Sequence, residues 1–248
     1  MPQSFLYVRS QDRILGTSSA FKVTLPNVYK NITGMVVVGA ELPFSMYNLD
    51  GIYVQGVTFT YNGTPFVVVV PAGYYQISDL QNWLLTALQT ALPSAGVTSV
   101  IYTATSGALS VLFSGAQPFS VQGTTSGSLG RILGCDPLNA ATYGVAGVLT
   151  FPCVATLSPV TTLFLQIAEI PSVLTSTNNM QAFARIQLSA APGSIVMANS
   201  GGSVYNNNTY QTPISTLSSL TCTLYTPDGT LVNLHGIDWA FTILIQSN

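Results

Sequence analysis

Eight acidic side chains, one histidine and three cysteines are the carboxylate, imidazole and thiol groups that 248 residues offer to acid–base, nucleophilic or metal chemistry. Two carboxylates a few ångströms apart can cleave a glycosidic bond. Four acids stand beside strand-like text: Glu41 in GAELPF, Asp50, Glu169 in IAEIPS, and Asp238. The two Glu-apolar-Pro endings, however, read more simply as two strands that each finish at a proline. None of the four acids lies in the aromatic, polar cluster that a sugar cleft needs. His235, in NLHGID, sits in a turn just before the last strand, where a structural role is expected. No G-x-S-x-G elbow, phosphate loop, G-x-G-x-x-G or H-E-x-x-H occurs. The reading is therefore of no catalytic residue, no cofactor-binding residue, no cofactor and no enzyme.

Cys135, Cys153 and Cys222 are odd in number, widely spaced and far in sequence from the histidine, so no metal site is expected. They suit reduced thiols in a protein made and assembled in the cytosol. The first residues, MPQSFLYVRSQDR, have no apolar segment behind a basic one, so no secretory signal is expected. The Asn-x-Thr triplets at Asn31, Asn62 and Asn207 then reflect a composition rich in Asn and Thr.

Charge is the strongest anomaly. Only 6% of residues are charged and 48% are hydrophobic, against about 25% charged in an ordinary soluble protein. The mean hydropathy is +0.45, yet no apolar run approaches the roughly 18 residues of a membrane helix, so no membrane span is expected. With a net charge of −2 and six basic residues, a direct nucleic-acid partner is not expected, because neutralising phosphates needs clustered Lys and Arg. Arg9, Arg13, Lys22 and Lys30 share the first thirty residues but each stands alone. A chain so poor in charge tends to bury its faces against neighbours.

The elements that position these groups are mostly strands. β-branched and aromatic runs recur at Phe21 to Leu25, Gly34 to Glu41, Ile52 to Tyr61, Phe66 to Val70, Val97 to Thr103, Ala108 to Phe113 and Phe119 to Gln122. They continue at Val148 to Val154, Thr162 to Ile167, Ala182 to Ser189, Leu217 to Tyr225, Thr230 to Leu234 and Trp239 to Gln246. Asn62-Gly63 predicts a two-residue type I′ turn, since both central positions need positive φ. Ser106-Gly107 and Pro227-Asp228-Gly229 mark two more hairpins. In the last strand Trp239, Phe241, Ile243 and Ile245 alternate onto one face.

One segment breaks the pattern. PAGYYQISDLQNWLLTALQTALPSAG predicts an amphipathic helix over about 78–92, with Ser78 as N-cap and Gln81 as its capping-box partner. Leu80, Leu84, Ala87, Leu88 and Ala91 form its stripe, Trp83 widens it, and Pro93 and Gly96 stop it. Such a helix should cover strands otherwise exposed. A second helical turn is expected at Ser128 to Leu133, and a long loop at 190–214. The fold class expected is all-β: a single jelly-roll β-sandwich across 1–248, with one inserted helix.

Taken in order, SQDRILGTSSAFKVTLPNVYKNITGMVVVGAELPFSMYNLD, the Asn-Gly hairpin, PAGYYQISDLQNWLLTAL, SLGRILG and LSSLTCTLYTPDGTLVNLHGIDWAFTILI resemble the small jelly-roll capsid proteins of large double-stranded DNA viruses and virophages. They resemble especially the penton proteins of the lineage that includes adenovirus and the nucleocytoplasmic large DNA viruses. That resemblance implies a virion protein forming a homopentamer at the icosahedral five-fold vertex, with the major capsid protein and other minor capsid or spike proteins as partners, assembled in the host cytoplasm. It brings no catalytic residues. Another minor capsid or cement subunit stays open, as does a soluble, lectin-like sandwich using Tyr74, Tyr75, Tyr205 and Tyr210 as stacking groups.

Overall fold

A computed structural model describes residues 2–49, 56–122, 129–136, 141–145, 147–157, 160–171, 174–175, 181–206 and 209–248. The chain begins with β1 (Gln3–Arg9), β2 (Leu15–Gly16) and the long β3 (Ala20–Pro43). It continues through β4 (Val57–Tyr61), β5 (Thr64–Val68), α1 (Ile77–Ala91), β6 (Val97–Thr103), β7 (Ala108–Phe113) and β8 (Phe119–Gln122). After α2 (Leu129–Leu133) come β9 (Thr142–Tyr143), β10 (Val148–Thr150), β11 (Thr162–Ile167), β12 (Leu174–Thr175), β13 (Gln181–Ala182) and β14 (Ala184–Gln187). It ends with β15 (Ile195–Asn199), β16 (Val204–Tyr205), β17 (Thr209–Tyr225) and β18 (Ala240–Ser247). The fold is all-β, in the jelly-roll class that the strand pattern indicates.

The buried apolar side chains form two clusters where the sequence reading expected one domain. Unit 1 comprises Met1–Met46 with Val160–Asn248, and unit 2 is Tyr47–Pro159. Unit 1 carries the sheet β1-β18-β3-β17-β11-β14-β16, with β2 and β15 also paired to β3. Its inner face holds Met35, Val37, Phe183, Ile186, Leu224, Phe241 and Ile243, all buried. The alternation expected at the C-terminus is present, since Trp239, Phe241, Ile243 and Ile245 are buried. Ala240, placed by that pattern on the opposite face, is buried too.

The runs 21–25 and 34–41 are not two strands but parts of the single strand β3. The intervening PNVYKN text reads as a turn, yet it is absorbed by a bulge. Thr24 pairs with Ser219 and Tyr29 with Leu217, so five steps along β3 match two along β17. Pro26, which has no N–H to give, falls inside that excess. Asn31 adopts φ 52° just before a second irregularity, which falls between Ile32 and Gly34.

The expected loop at 190–214 also contains strands. In β15 the side chains alternate exposed and buried from Ile195 to Asn199, and the strand pairs with Gly39 to Pro43 of β3. Short β16 and the first residues of β17 follow. Flanking Gly, Ser and Asn mask this period-two signal. Conversely, Thr230 to Leu234 is not a strand and makes one isolated bridge, Tyr225 to Leu231. The turn before it has a polar lock: Thr226 Oγ1 donates to the Asp228 carboxylate, and the Thr230 N–H donates to it at 3.2 Å. These bonds, the Thr226 hydroxyl foremost, hold the Asp228 carboxyl below its usual range. A depressed carboxyl stabilises the fold above its unfolded pKa, and that contribution disappears as pH falls through the lower folded value. Asp228→Ala should therefore cost about 0.5–1 kcal/mol at neutral pH and nothing in strong acid, as urea titrations at the two pH values will read.

In unit 2, β5-β4-β8-β9 and β10-β7-β6 form two sheets. Asn62 and Gly63 adopt φ 51° and 75°, with Tyr61 paired to Thr64 across them, as the type I′ signature requires. Gly107, at φ 67°, closes the β6–β7 hairpin. Phe59 stacks on Phe119 at 5.8 Å and meets Phe151 edge-on at 6.4 Å, at the centre of the core.

Helix α1 begins one residue earlier than expected. Its N-cap is Gln76, whose N–H donates to the Asp79 carboxylate at 3.1 Å. Ser78 therefore lies inside the first turn, with the acidic Asp79 at the positive end of the helix. Leu80, Leu84 and Leu88 are fully buried, followed by Leu92 in the same i, i+4 series. Ala91 is exposed. The expected role of the helix takes a specific form: Gln81 Nε2 donates to the Val100 carbonyl at 3.2 Å, and Gln89 Nε2 to the Val97 carbonyl at 3.0 Å. The two amides thus satisfy carbonyls of β6, the terminal strand of its sheet. Gln81→Ala should cost about 1 kcal/mol by freeing one of these carbonyls, measurable as a shift in the urea midpoint. Leu129, Gly130 and Leu133 of the short α2 are buried; Ser128 lies outside the described residues.

Candidate functional site

The chemistry-bearing residues do not converge. Glu169 is consumed by the backbone: the Thr221 N–H and hydroxyl donate to its two oxygens, both at 2.7 Å. It clamps the end of β11 to β17, two residues before Pro171. Glu41 lies on β3 two residues before the strand ends at Pro43, and accepts the Tyr7 hydroxyl at 3.2 Å. Both Glu-apolar-Pro endings thus stand at strand ends, each carboxylate with its own partner. Asp50 lies outside the described residues.

Asp238 belongs to a polar network that also holds Ser10, Arg13 and the Trp239 backbone. The Ser10 hydroxyl donates to Asp238 Oδ1 at 2.8 Å and accepts the Trp239 N–H at 2.9 Å. The Ser10 N–H donates to the Trp239 carbonyl at 2.8 Å. Arg13 Nη1 donates both to Asp238, at 2.5 Å, and to the Ser10 carbonyl, at 2.9 Å. The Trp239 indole N–H reaches the Ser18 carbonyl at 2.7 Å. Serine beside carboxylate has the composition of an activated nucleophile, but this hydroxyl is fully buried and is tied up in holding the Trp239 N–H against Asp238. The network joins the turn after β1 to the start of β18. Ser10→Ala should cost about 1–3 kcal/mol, because the buried Trp239 N–H is left without an acceptor; chemical denaturation of the variant reads this directly.

Of the other basic residues, Arg9 forms an exposed pair with Asp12 at 2.7 Å, while Lys22 and Lys30 lie on β3. His235 adopts φ 52° in its turn, its N–H donating to Asn233 Oδ1 at 2.9 Å. The three cysteines are free thiols. Burial pushes the Cys135 thiol up to about 12, and raises that of Cys222 as well. Among the described residues no group of three or more His, Cys, Asp or Glu side chains is placed to hold a metal ion. No helix among them is long and apolar enough to cross a membrane.

The tyrosines divide between the units. Tyr74 and Tyr75 are in unit 2, where the Tyr75 hydroxyl donates to the Pro71 carbonyl at 3.0 Å. Tyr205 is in unit 1, opposite Arg185 across β16 and β14, with the guanidinium 5.9 Å from its ring centre. The Tyr210 side chain is outside the described residues.

What the structure does assemble is an apolar outer face in unit 1. Arg9, Ala240, Glu41 and Met197 lie in register across β1, β18, β3 and β15. Phe5 is 69% exposed, Tyr7 52%, Ile195 66% and Met197 65%, so these large side chains take no part in the core. Sequence reasoning did not place β1 or β15 in strands and so missed this face. The alternation of Phe5 and Tyr7 with buried Leu6 and Val8 was the available signal.

No family model matches the chain, and no curated protein does. Among solved structures, the crystal structure of the selenomethionine-labelled mavirus penton protein matches at 11% identity and a TM-score of 0.50, covering 100% of each chain. The likeness runs from end to end and is one of architecture. The chain is an all-β protein that shares the fold of the mavirus penton protein.

Proposed function

We propose that this chain is a structural capsid subunit, a penton that forms homopentamers at icosahedral five-fold vertices and meets the major capsid protein at its flanks. The observation that carries the proposal is the end-to-end fold match to a penton protein at equal coverage of both chains. The uncharged composition and the outward Phe5, Tyr7, Ile195 and Met197 support it, since a subunit buries such surface against neighbours. Its work is burial and shape: head-to-tail contacts close a ring, and no catalytic step is involved. In this reading the protein resides in the virion of a large double-stranded DNA virus or virophage, after assembly in the host cytoplasm. Native mass spectrometry of the purified chain should give a pentamer. A monodisperse monomer at high concentration, without other capsid proteins, would count against the proposal.

A further inference from the structure

Strand β1 ends its sheet, and nothing among the described residues pairs with its outer side. The Ser10 N–H donates to the Trp239 carbonyl and the Ser247 N–H to the Pro2 carbonyl, while every residue from Gln3 to Arg9 has its partner on β18. Hydrogen-bonded pairs alternate along an antiparallel ladder. Even-numbered residues therefore turn their backbone groups toward β18, and Gln3, Phe5, Tyr7 and Arg9 turn theirs outward. The usual safeguards are lacking: the strand has no proline, no lysine and no bulge. In unit 2, by contrast, Gln81 and Gln89 satisfy carbonyls of β6.

The geometry points to a second copy of this chain as the occupant of that edge, paired antiparallel about a two-fold axis through Leu6. The edge is self-complementary in this register. Phe5 falls opposite Tyr7 of the other copy and Gln3 opposite Arg9, so every outward N–H meets an outward carbonyl. Phe5 and Tyr7 are exposed on the same face, which makes both Phe5–Tyr7 pairs aromatic cross-strand pairs. The two Arg9 side chains lie at opposite ends of the pairing and do not oppose each other. One short edge buries less surface than the roughly 1,200 Å² of a stable complex, so the pairing is reversible and concentration-dependent. It does not rest on the penton reading, whose ring is closed by head-to-tail contacts, although that reading also draws on the exposure of Phe5 and Tyr7.

Phe5→Pro tests this selectively, because it deletes an N–H that faces away from β18 and leaves the internal ladder intact. In sedimentation velocity of the full chain, the wild type should self-associate by two-fold pairing, of monomers or of rings. Phe5→Pro should weaken that step about tenfold or more, since each pairing loses two hydrogen bonds. A second measurement reads the register without depending on that variant. In a Cys153→Ser background, a mixture of Phe5→Cys and Tyr7→Cys chains should form disulfide-linked dimers several-fold faster than Phe5→Cys chains alone. No pairing by the wild type, pairing unchanged in Phe5→Pro, or equal cross-linking of the mixed and single chains would each overturn the inference. A pentamer that persists in Phe5→Pro leaves the penton reading intact while the edge is judged on its own.

Discussion

Leu84→Asp is expected to unfold residues 47–159. Leu84 is fully buried at the centre of α1, within a core that also holds Leu80, Leu88, Phe59 and Phe119. Placing an unpartnered carboxylate there costs about 4–5 kcal/mol or more, from lost apolar burial and from desolvating a polar group. That is a large share of the roughly 5–15 kcal/mol that holds an ordinary domain together. The readout is built into the chain, which has two tryptophans, Trp83 in unit 2 and Trp239 in unit 1. With Trp239 replaced by Phe, Leu84→Asp should shift Trp83 emission to that of the unfolded chain. With Trp83 replaced instead, emission from the buried Trp239 should stay close to native, because unit 1 has its own core. Native emission from Trp83 in the variant would mean that α1 does not seal this core.

Phe241→Ala should destabilise unit 1 by about 3–5 kcal/mol. The Phe241 ring is buried and stacks on Trp239 with centroids 4.9 Å apart, and Trp239 in turn meets Phe21 edge-on at 5.9 Å. Removing it leaves a cavity between strands whose backbones are pinned on both sides, β18 lying between β1 and β3, so the site cannot collapse to fill the space. Guanidinium unfolding followed by Trp239 fluorescence should show the loss. Phe241→Leu, which keeps most of the volume, should recover more than half of it. A loss below about 1 kcal/mol for Phe241→Ala would show that the aromatic cluster is not the core of this unit.

Much of this architecture is legible locally. Asn62-Gly63 states its own turn because two successive positive φ values suit few other dipeptides. The leucines of α1 and the alternation at the C-terminus state their periods in the text, and Pro93 and Gly96 mark where the helix must end. The mistakes occur where local chemistry competes with pairing. The PNVYKN text carries turn residues, yet β17 pairs with β3 at Thr24 before it and at Tyr29 and Lys30 within it, which holds this stretch in the sheet and pushes the excess residues into a bulge. IVMAN carries a strand period but is hidden among glycine, serine and asparagine. Ser78 is a better capping residue than Gln76 by type, yet the cap forms two residues earlier because Asp79 reaches the Gln76 N–H.

The candidate surface was less legible than the fold. The scarcity of charge indicates that faces are buried against something, but says nothing of which faces. Only the pairing of β1 with β18, and of β15 with β3, brings Phe5, Tyr7, Ile195 and Met197 onto exposed strands of one sheet. Likewise, Gln81 and Gln89 look like an ordinary polar helix face until β6 is set beside them.

By itself, then, the sequence determined the all-β class, the turns, the single long helix and the poverty of reactive groups, because these follow from backbone sterics, side-chain period and composition. The tertiary structure alone decided that β3 is continuous, that the apolar residues divide between two cores, and that an apolar outer face and the edge of β1 lie open among the described residues. These depend on which distant strands pair and in what register. Most β-branched runs suit many partners equally, and the choice is made by the summed burial and hydrogen bonding of the whole sheet.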